Sequence, residues 1–228
     1  MGLRAWNSLP KNMRTKEVKF YYDILKKKRG SLVLKRIFDV VVSLIMLILL
    51  SPVFLVVAVM IKKDSKGPVF YRQVRVTQYG KRFRIFKFRT MVSNADKIGA
   101  HVTTNNDARI TKVGEKIRSC RLDEIPQLLN VLTGDMSFVG TRPEAEKYVE
   151  RYTPEMMATL LLPAGITSEA SILYKDEAEL LEAADDVDEV YVNEILPEKM
   201  KYNLKSIKKF SFLADIRTMF RTVFAVLK

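Results

Sequence analysis

With 228 residues, 48% hydrophobic and 29% charged, the chain has the means to bury a core; it suits one catalytic or binding unit with attachments and is not a disordered tail. A single cysteine, Cys120, excludes an internal disulfide framework and a cysteine-based zinc site, and a lone His101 excludes a multi-histidine metal site. The net charge of +13 lies at the ends: residues 1–90 hold 21 Lys/Arg against 4 Asp/Glu, while residues 151–200 hold 3 against 12, which suits either a nucleic acid or an anionic membrane surface.

Residues 1–34 form a basic N-terminal extension. From Val40 to Ile61 the chain is apolar except for Ser43, Ser51 and Pro52. As a helix this run reaches roughly 33 Å, and core helices of soluble domains seldom show such a run, so residues 35–63 are expected in a membrane. Its long lead-in and the lack of a small-residue cleavage site argue against a signal peptide. Lys26, Lys27, Lys28, Arg29, Lys35 and Arg36 stand before it, and Lys62, Lys63, Lys66, Arg72 and Arg75 after it. The positive-inside rule draws both ends to the cytoplasm. Pro52 removes a backbone hydrogen bond midway and predicts a kink, with Ser51 placed to satisfy a freed carbonyl. A helix that bends back to its side of entry satisfies both clusters. A kinked spanning helix is the alternative that charge alone leaves open.

Asp64-Ser65-Lys66-Gly67-Pro68 is turn chemistry that opens a domain over residues 64–170. Val69–Val76 and Arg82–Phe88, with Tyr79-Gly80 between them, predict a β-hairpin. Lys87 and Arg89, two apart, project from one strand face; that suits gripping a phosphate, although a solvated basic face reads the same way. Ile110, Val113, Ile117 and Cys120 trace a helix over 109–121, with Cys120 as a small hydrophobe on its apolar face. Asp123 reads as the N-cap of the next helix, with Pro126 in its first turn and Gly134 past its end. Spacing alone favours Asp123 and Glu124 as cap and dipole partner. Adjacent carboxylates at a phosphate-binding helix N-terminus also suit a divalent cation. Gly134 to Glu144 reads as a loop with two glycine hinges, and Pro143 and Glu144 open another helix. Residues 171–228 form a helical C-terminal region. In it, Asp176 to Asp188 is an acidic helical stretch with a solvated face. Phe212, Leu213, Ile216, Met219, Phe220, Val223, Phe224 and Leu227 then recur at helical spacing, opposite Asp215, Arg217, Arg221 and Lys228. This last helix either packs on the domain or lies in a membrane interface, and its basic, aromatic character favours the interface.

Four stretches together resemble the bacterial sugar transferases, the monotopic phosphoglycosyl transferases that make polyprenyl-diphosphate-linked sugars. They are Lys35-Arg36-Ile37-Phe38-Asp39 leading to Ser51-Pro52; Asp64 to Phe70 with Arg72-Gln73; Lys87-Phe88-Arg89-Thr90-Met91; and Leu122-Asp123-Glu124-Ile125-Pro126-Gln127 running through Gly134-Asp135-Met136-Ser137 to Arg142-Pro143-Glu144. The match covers residues 35 to 170, and its specificity lies in the order and spacing of the stretches. The resemblance implies an α/β, mostly helical monotopic membrane protein with a re-entrant membrane helix, a short β-hairpin, a helical catalytic domain and a C-terminal interfacial amphipathic helix. It places the chain at the bacterial inner membrane, with the catalytic domain facing the cytoplasm.

The resemblance also implies a magnesium-dependent transfer of sugar-1-phosphate from a UDP-sugar to a polyprenyl (undecaprenyl) phosphate, with release of UMP, as the first membrane step of glycan assembly. The family's nucleophile corresponds to Asp123, which would carry a covalent phospho-sugar. Its neighbour Glu124 sits at the metal and phosphate, so Asp123 and Glu124 are the candidate metal pair. Lys87, Arg89, Arg118 and Arg142 would hold the nucleotide and lipid phosphates. Two positions depart from the pattern. Thr141 replaces the first proline of Pro-Arg-Pro, and Ser168 ends a stretch that usually reads Gly-Ile-Thr-Gly. A compact form without the leading transmembrane helices of larger relatives is expected.

Phosphoryl transfer relies on positioning and charge neutralisation, which suits these residue types. The expected partners are a UDP-sugar, a polyprenyl phosphate and the bilayer, with no nucleic acid; a homodimer stays open. One rival reading is a membrane-anchored basic nucleic-acid-binding module, but the ordered aromatic platforms of such modules are missing. The other is a scaffold without chemistry, against which Asp123, Glu124, Arg118 and Arg142 stand.

Overall fold

The computed structural model describes residues 2–93, 95, 107–174, 177 and 186–227. Helix α1 (Lys16–Lys26) is capped by Thr15, whose hydroxyl accepts from the Val18 amide at 3.3 Å. Val18, Tyr21, Tyr22 and Leu25 share its buried face. Together with Leu9 and Met13 they pack on Leu160, Leu161, Leu204 and Ile207, so the basic N-terminal extension supplies part of the core.

The long apolar run is two helices. α2 (Arg29–Leu49) and α3 (Ser51–Asp64) meet at Leu50 with a bend of 60°. Among the described residues no single helix is long and apolar enough to cross a membrane. The break falls at Ser51-Pro52, as the sequence predicts. Pro52 occupies the first turn of α3, where a missing N–H costs nothing. The Ser51 hydroxyl donates to the Ile48 carbonyl at 2.8 Å. α2 is largely inside out, while α3 buries Val57 and Ile61 yet leaves much of its apolar surface exposed. α2 buries Leu32, Lys35, Asp39 and Ser43 but exposes Ile37, Val41, Leu44, Ile45, Ile48 and Leu49. Leu55, Val56 and Val59 of α3 are exposed too. A helix packed on a domain in water shows the opposite pattern.

Strands β1 (Phe70–Val76) and β2 (Arg82–Phe88) form the expected antiparallel hairpin. Helix α4 (Lys112–Ser119), capped by Thr111, is shorter than the 109–121 span expected. Ile117 and Gly114 take its buried face, and Cys120 is an exposed C-cap residue, so it is not the small hydrophobe expected of it. Helix α5 (Gln127–Thr133) is closed by Gly134 in the left-handed region at φ 89°, as expected. Asp123, however, is not its N-cap. Pro126 has no N–H to bond back to Leu122, so the α-ladder starts after it and Leu122–Glu124 forms a separate 3-10 turn.

The expected loop from Gly134 to Glu144 contains β3 (Met136–Val139). Four residues, three of them buried in succession, are too few to show a strand's alternation. The helix expected from Pro143 begins later, as the single turn α6 (Glu146–Val149). β3 pairs in parallel with β4 (Ala164–Thr167). Helix α7 (Glu169–Leu173) follows, then α8 (Val187–Val190), a π turn (Tyr191–Ile195), α9 (Leu196–Lys208) and α10 (Phe212–Leu227). Most of the acidic stretch Asp176 to Asp188 lies outside the described residues, as does His101. Within that stretch Glu177 does not simply face solvent: it pairs with buried Lys199 at 2.7 Å.

Buried polar bonds fix the helix pair to the domain, and they explain the Lys-Arg-Ile-Phe-Asp stretch. Lys35 donates to the Val139 carbonyl at 2.7 Å and to Asp215 of α10 at 2.5 Å. Arg36 donates to the Val131 and Leu132 carbonyls at 2.7 and 2.8 Å, covering the open end of α5. Asp39 accepts from the Ser137 hydroxyl at 3.1 Å and from the Phe138 amide at 3.2 Å. Helix α10 packs on the domain through Met219 and buried Thr218, while Leu213, Phe220, Val223 and Phe224 stay exposed.

Candidate active site

Three segments converge. The first is the end of β2, which carries Lys87. The inner face of β2 lies under α5, where Asn130 accepts from the Phe86 amide at 2.8 Å and donates to the Arg84 carbonyl at 3.1 Å. The second is the 3-10 turn with Asp123 and Glu124. It is reached through Arg121, whose φ of 52° reverses the chain after α4. The third is the stretch after β3. Gly140 and Gly165 cross closely there, with the Gly165 amide donating to the Thr141 carbonyl at 2.9 Å, and Arg142 follows.

Glu124 is the hub. Its Oε1 accepts from Lys87 Nζ at 2.7 Å and from Arg142 Nη2 at 2.8 Å. Burial would raise the Glu124 pKa, but Arg142 and Lys87 more than reverse that and hold the carboxyl well below the usual range. In return, Glu124 raises the Arg142 pKa. Asp123 is shifted the other way. Burial pushes it up, Lys87 and Arg118 pull against that, and the like charge of Glu124 adds to the rise. Thus two adjacent carboxylates have opposite tendencies, with three cations around them.

Both cations bind the same oxygen of Glu124. Its Oε2, and the Asp123 carboxylate apart from its own amide, have no hydrogen-bond partner among the described residues. Open oxygens on two neighbouring carboxylates have the chemistry to contribute ligands to a hard divalent cation. Among the described residues no cluster of three or more His, Cys, Asp or Glu could hold a metal by itself.

Arg89 is placed differently from expectation. The strand ends at Phe88, so Arg89 does not continue the face of Lys87. Its guanidinium is buried and donates to the Ser65 and Lys66 carbonyls at 2.8 and 2.6 Å and to the Ser93 hydroxyl at 3.1 Å. It clamps the turn at Gly67, where a Cβ would sit 1.9 Å from Arg89 Nη1. Sequence reasoning named Lys87, Arg118, Asp123, Glu124 and Arg142, and the structure brings these together. It placed Arg75 only in the basic cluster after the apolar run and Gln73 only in the family resemblance, and gave neither these two nor Tyr71 a place in the site, although their period-two spacing signals one strand face.

The hairpin, the carboxylate turn and the arginine loop thus bring two carboxylates and three cations together on a domain with exposed apolar helix faces. The family model described as bacterial sugar transferase matches residues 30–228, and the chain belongs to this family. It is 40% identical over 200 residues to a UDP-glucose:undecaprenyl-phosphate glucose-1-phosphate transferase of Klebsiella pneumoniae, a match that covers 85% of this chain and 40% of that protein. It is 36% identical to a UDP-N-acetylgalactosamine-undecaprenyl-phosphate N-acetylgalactosaminephosphotransferase of Aeromonas hydrophila, over 85% of this chain and 44% of the relative. The exopolysaccharide production protein ExoY of Sinorhizobium fredii is 32% identical, with 84% of each chain covered. The chain thus spans less than half the length of the first two relatives and most of the third.

Proposed function

We propose that the protein is a phosphoglycosyl transferase that moves a sugar-1-phosphate from a UDP-sugar to undecaprenyl phosphate and releases UMP. The observation that carries this reading is the clustering of Asp123 and Glu124 with Lys87, Arg118 and Arg142 on a domain bolted to a bent helix pair with exposed apolar faces. The names of the relatives support the substrate classes.

In this reading an Asp123 oxygen attacks the phosphorus that bears the sugar. The bond from that phosphorus to the UMP oxygen breaks, and UMP leaves with the electron pair. Asp123 then carries the sugar phosphate as an acyl phosphate. A phosphate oxygen of the lipid acceptor attacks the same phosphorus and frees Asp123, and the anomeric carbon is never touched. Lys87, Arg118 and Arg142 neutralise charge on the phosphates, while Arg89 holds the turn beneath them. Asp123 and Glu124 would hold magnesium, which offsets charge on the diphosphate when bound. The exposed apolar faces of α2, α3 and α10 sit in the bacterial inner membrane, with the site on the cytoplasmic side.

The deciding assay uses the full chain with a panel of UDP-sugars and undecaprenyl phosphate and measures UMP. Acceptor-dependent UMP from at least one donor is expected, and its absence with every donor rejects the reading. Arg118→Ala and Arg142→Ala should each lower turnover about ten- to a hundredfold with little change in melting, since a charge-assisted bond to phosphate is worth about 1.5–3 kcal/mol. Wild-type kinetics in both variants would remove these arginines from the site. For topology, cysteines at positions 30 and 66 in a Cys120→Ser background should both be labelled from the cytoplasmic face. One label from each face would mean that the bent pair spans the membrane.

A further inference from the structure

Strand β1 carries a second row of polar groups beside the site. The hairpin register sets Tyr71 opposite Lys87, Gln73 opposite Ile85 and Arg75 opposite Phe83. Directly paired residues share a face of the sheet, and Lys87 is the member of this face that reaches Glu124. On the β2 half the face is closed, because Phe83 and Ile85 are buried against Leu128 and Val131. On the β1 half Tyr71, Gln73 and Arg75 remain partly exposed. The arginine loop closes against the same strand, since the Val76 amide donates to the Glu144 carbonyl at 3.0 Å. Arg75 therefore stands next to the loop that carries Arg142.

The Gln73 Oε1 accepts from Arg75 Nε at 3.2 Å and from Nη2 at 2.7 Å. Arginine only donates, so this contact fixes the amide orientation and turns the Gln73 NH2 into a free donor pair. Arg75 Nη1 makes no hydrogen bond among the described residues. What remains open on this pair is a set of N–H donors, one group of them cationic.

We propose that Gln73 and Arg75 form a further oxyanion subsite that receives a phosphate of one of the two substrates. This rests on the phosphoglycosyl transfer reading. The reaction brings a diphosphate and a phosphomonoester to one place, while Lys87 and Arg142 are already paired with Glu124. The amide that orients Arg75 is neutral; of the charged groups around it, Glu144 attracts the guanidinium and Arg142 repels it, and its planar fork suits phosphate oxygens.

The test compares wild type, Arg75→Gln and Gln73→Glu. The second variant places a carboxylate on Arg75, which preserves a partner for the guanidinium and cancels its charge. Both should melt near wild type and raise one KM about ten- to a hundredfold. A rise for the UDP-sugar assigns the subsite to the donor diphosphate, and a rise for undecaprenyl phosphate assigns it to the acceptor. Unchanged KM values for both substrates, in either folded variant, overturn the subsite even if kcat falls, because a structural role alone would then account for it. Titration with UDP and with a short-chain prenyl phosphate reads the subsite without turnover. It separates failure of the subsite from failure of the transfer reading, which shows as no UMP from the wild type.

Discussion

Asp123→Asn is expected to fold like the wild type and to lose turnover on the order of 10⁴-fold or more, the scale seen when a covalent nucleophile is removed. Asparagine fills the same space in the Leu122–Glu124 turn and lacks only the charge. With the wild type and no acceptor, donor labelled in the sugar phosphate should leave label on the protein. UMP should appear in a stoichiometric burst, and peptide mapping should place the adduct on Asp123. Sequential kinetics, with no adduct and no acceptor-independent UMP, would leave Asp123 as a metal ligand or base in a direct displacement. The same carboxylate should set the acid limb of the rate. Attack needs its ionised form, and burial raises its pKa. Activity should therefore fall with falling pH at a value above the ordinary aspartate range of about 3.9. Glu124, held low by Arg142 and Lys87, stays charged throughout that fall. Lys87→Met should move the limb to higher pH, because it removes a cation that opposes the rise.

Gly165→Ala is expected to cost about 3 kcal/mol or more of stability, the upper range for overpacking a rigid site. A Cβ at Gly165 would lie 2.1 Å from the Gly140 nitrogen and 2.3 Å from its oxygen. Both are backbone atoms, so relief requires separating β3 from β4. That separation also breaks the Gly165 amide bond to Thr141, the residue before Arg142. Activity should thus fall along with the melting temperature. Gly30→Ala is the control. Nothing lies within 4 Å of its added methyl, and the position is helical, so it should be neutral or stabilising by about 0.4–1 kcal/mol. Equal melting of the two variants would mean that the crossing of Gly140 and Gly165 is not close.

The parts legible in the sequence were those set by local chemistry. Pro52 has no N–H with which to continue α2 but is well suited to open α3, and the bend falls there. The β-branched and aromatic runs around Tyr79-Gly80 form the hairpin. Gly134 ends α5 in the conformation that glycine tolerates best. Local signals misled where two segments were short or competed. Asp123 has the chemistry of a cap, but Pro126 moved the start of α5 past it. Met136–Val139 is too brief to show a period, and only its pairing with Ala164–Thr167 makes it a strand. Cys120 fits the apolar spacing of α4, yet the helix stops one residue before it.

By itself the sequence determined the residue types available for phosphate chemistry, the apolar run and its break, and the order of motifs that marks the family. These depend on covalent structure and short-range preferences, which a linear reading captures. The tertiary structure decided which of the cations are available. Arg89 and Lys87 look equivalent in sequence, two residues apart. The end of β2 at Phe88 sends one into a cage of carbonyls and leaves the other on Glu124. It likewise turned the polar side of α2 inward, because Asp39 and Lys35 find buried partners from Ser137, Phe138, Val139 and Asp215. Those partners lie about a hundred residues or more along the chain, and a buried charge is stable only where folding delivers them.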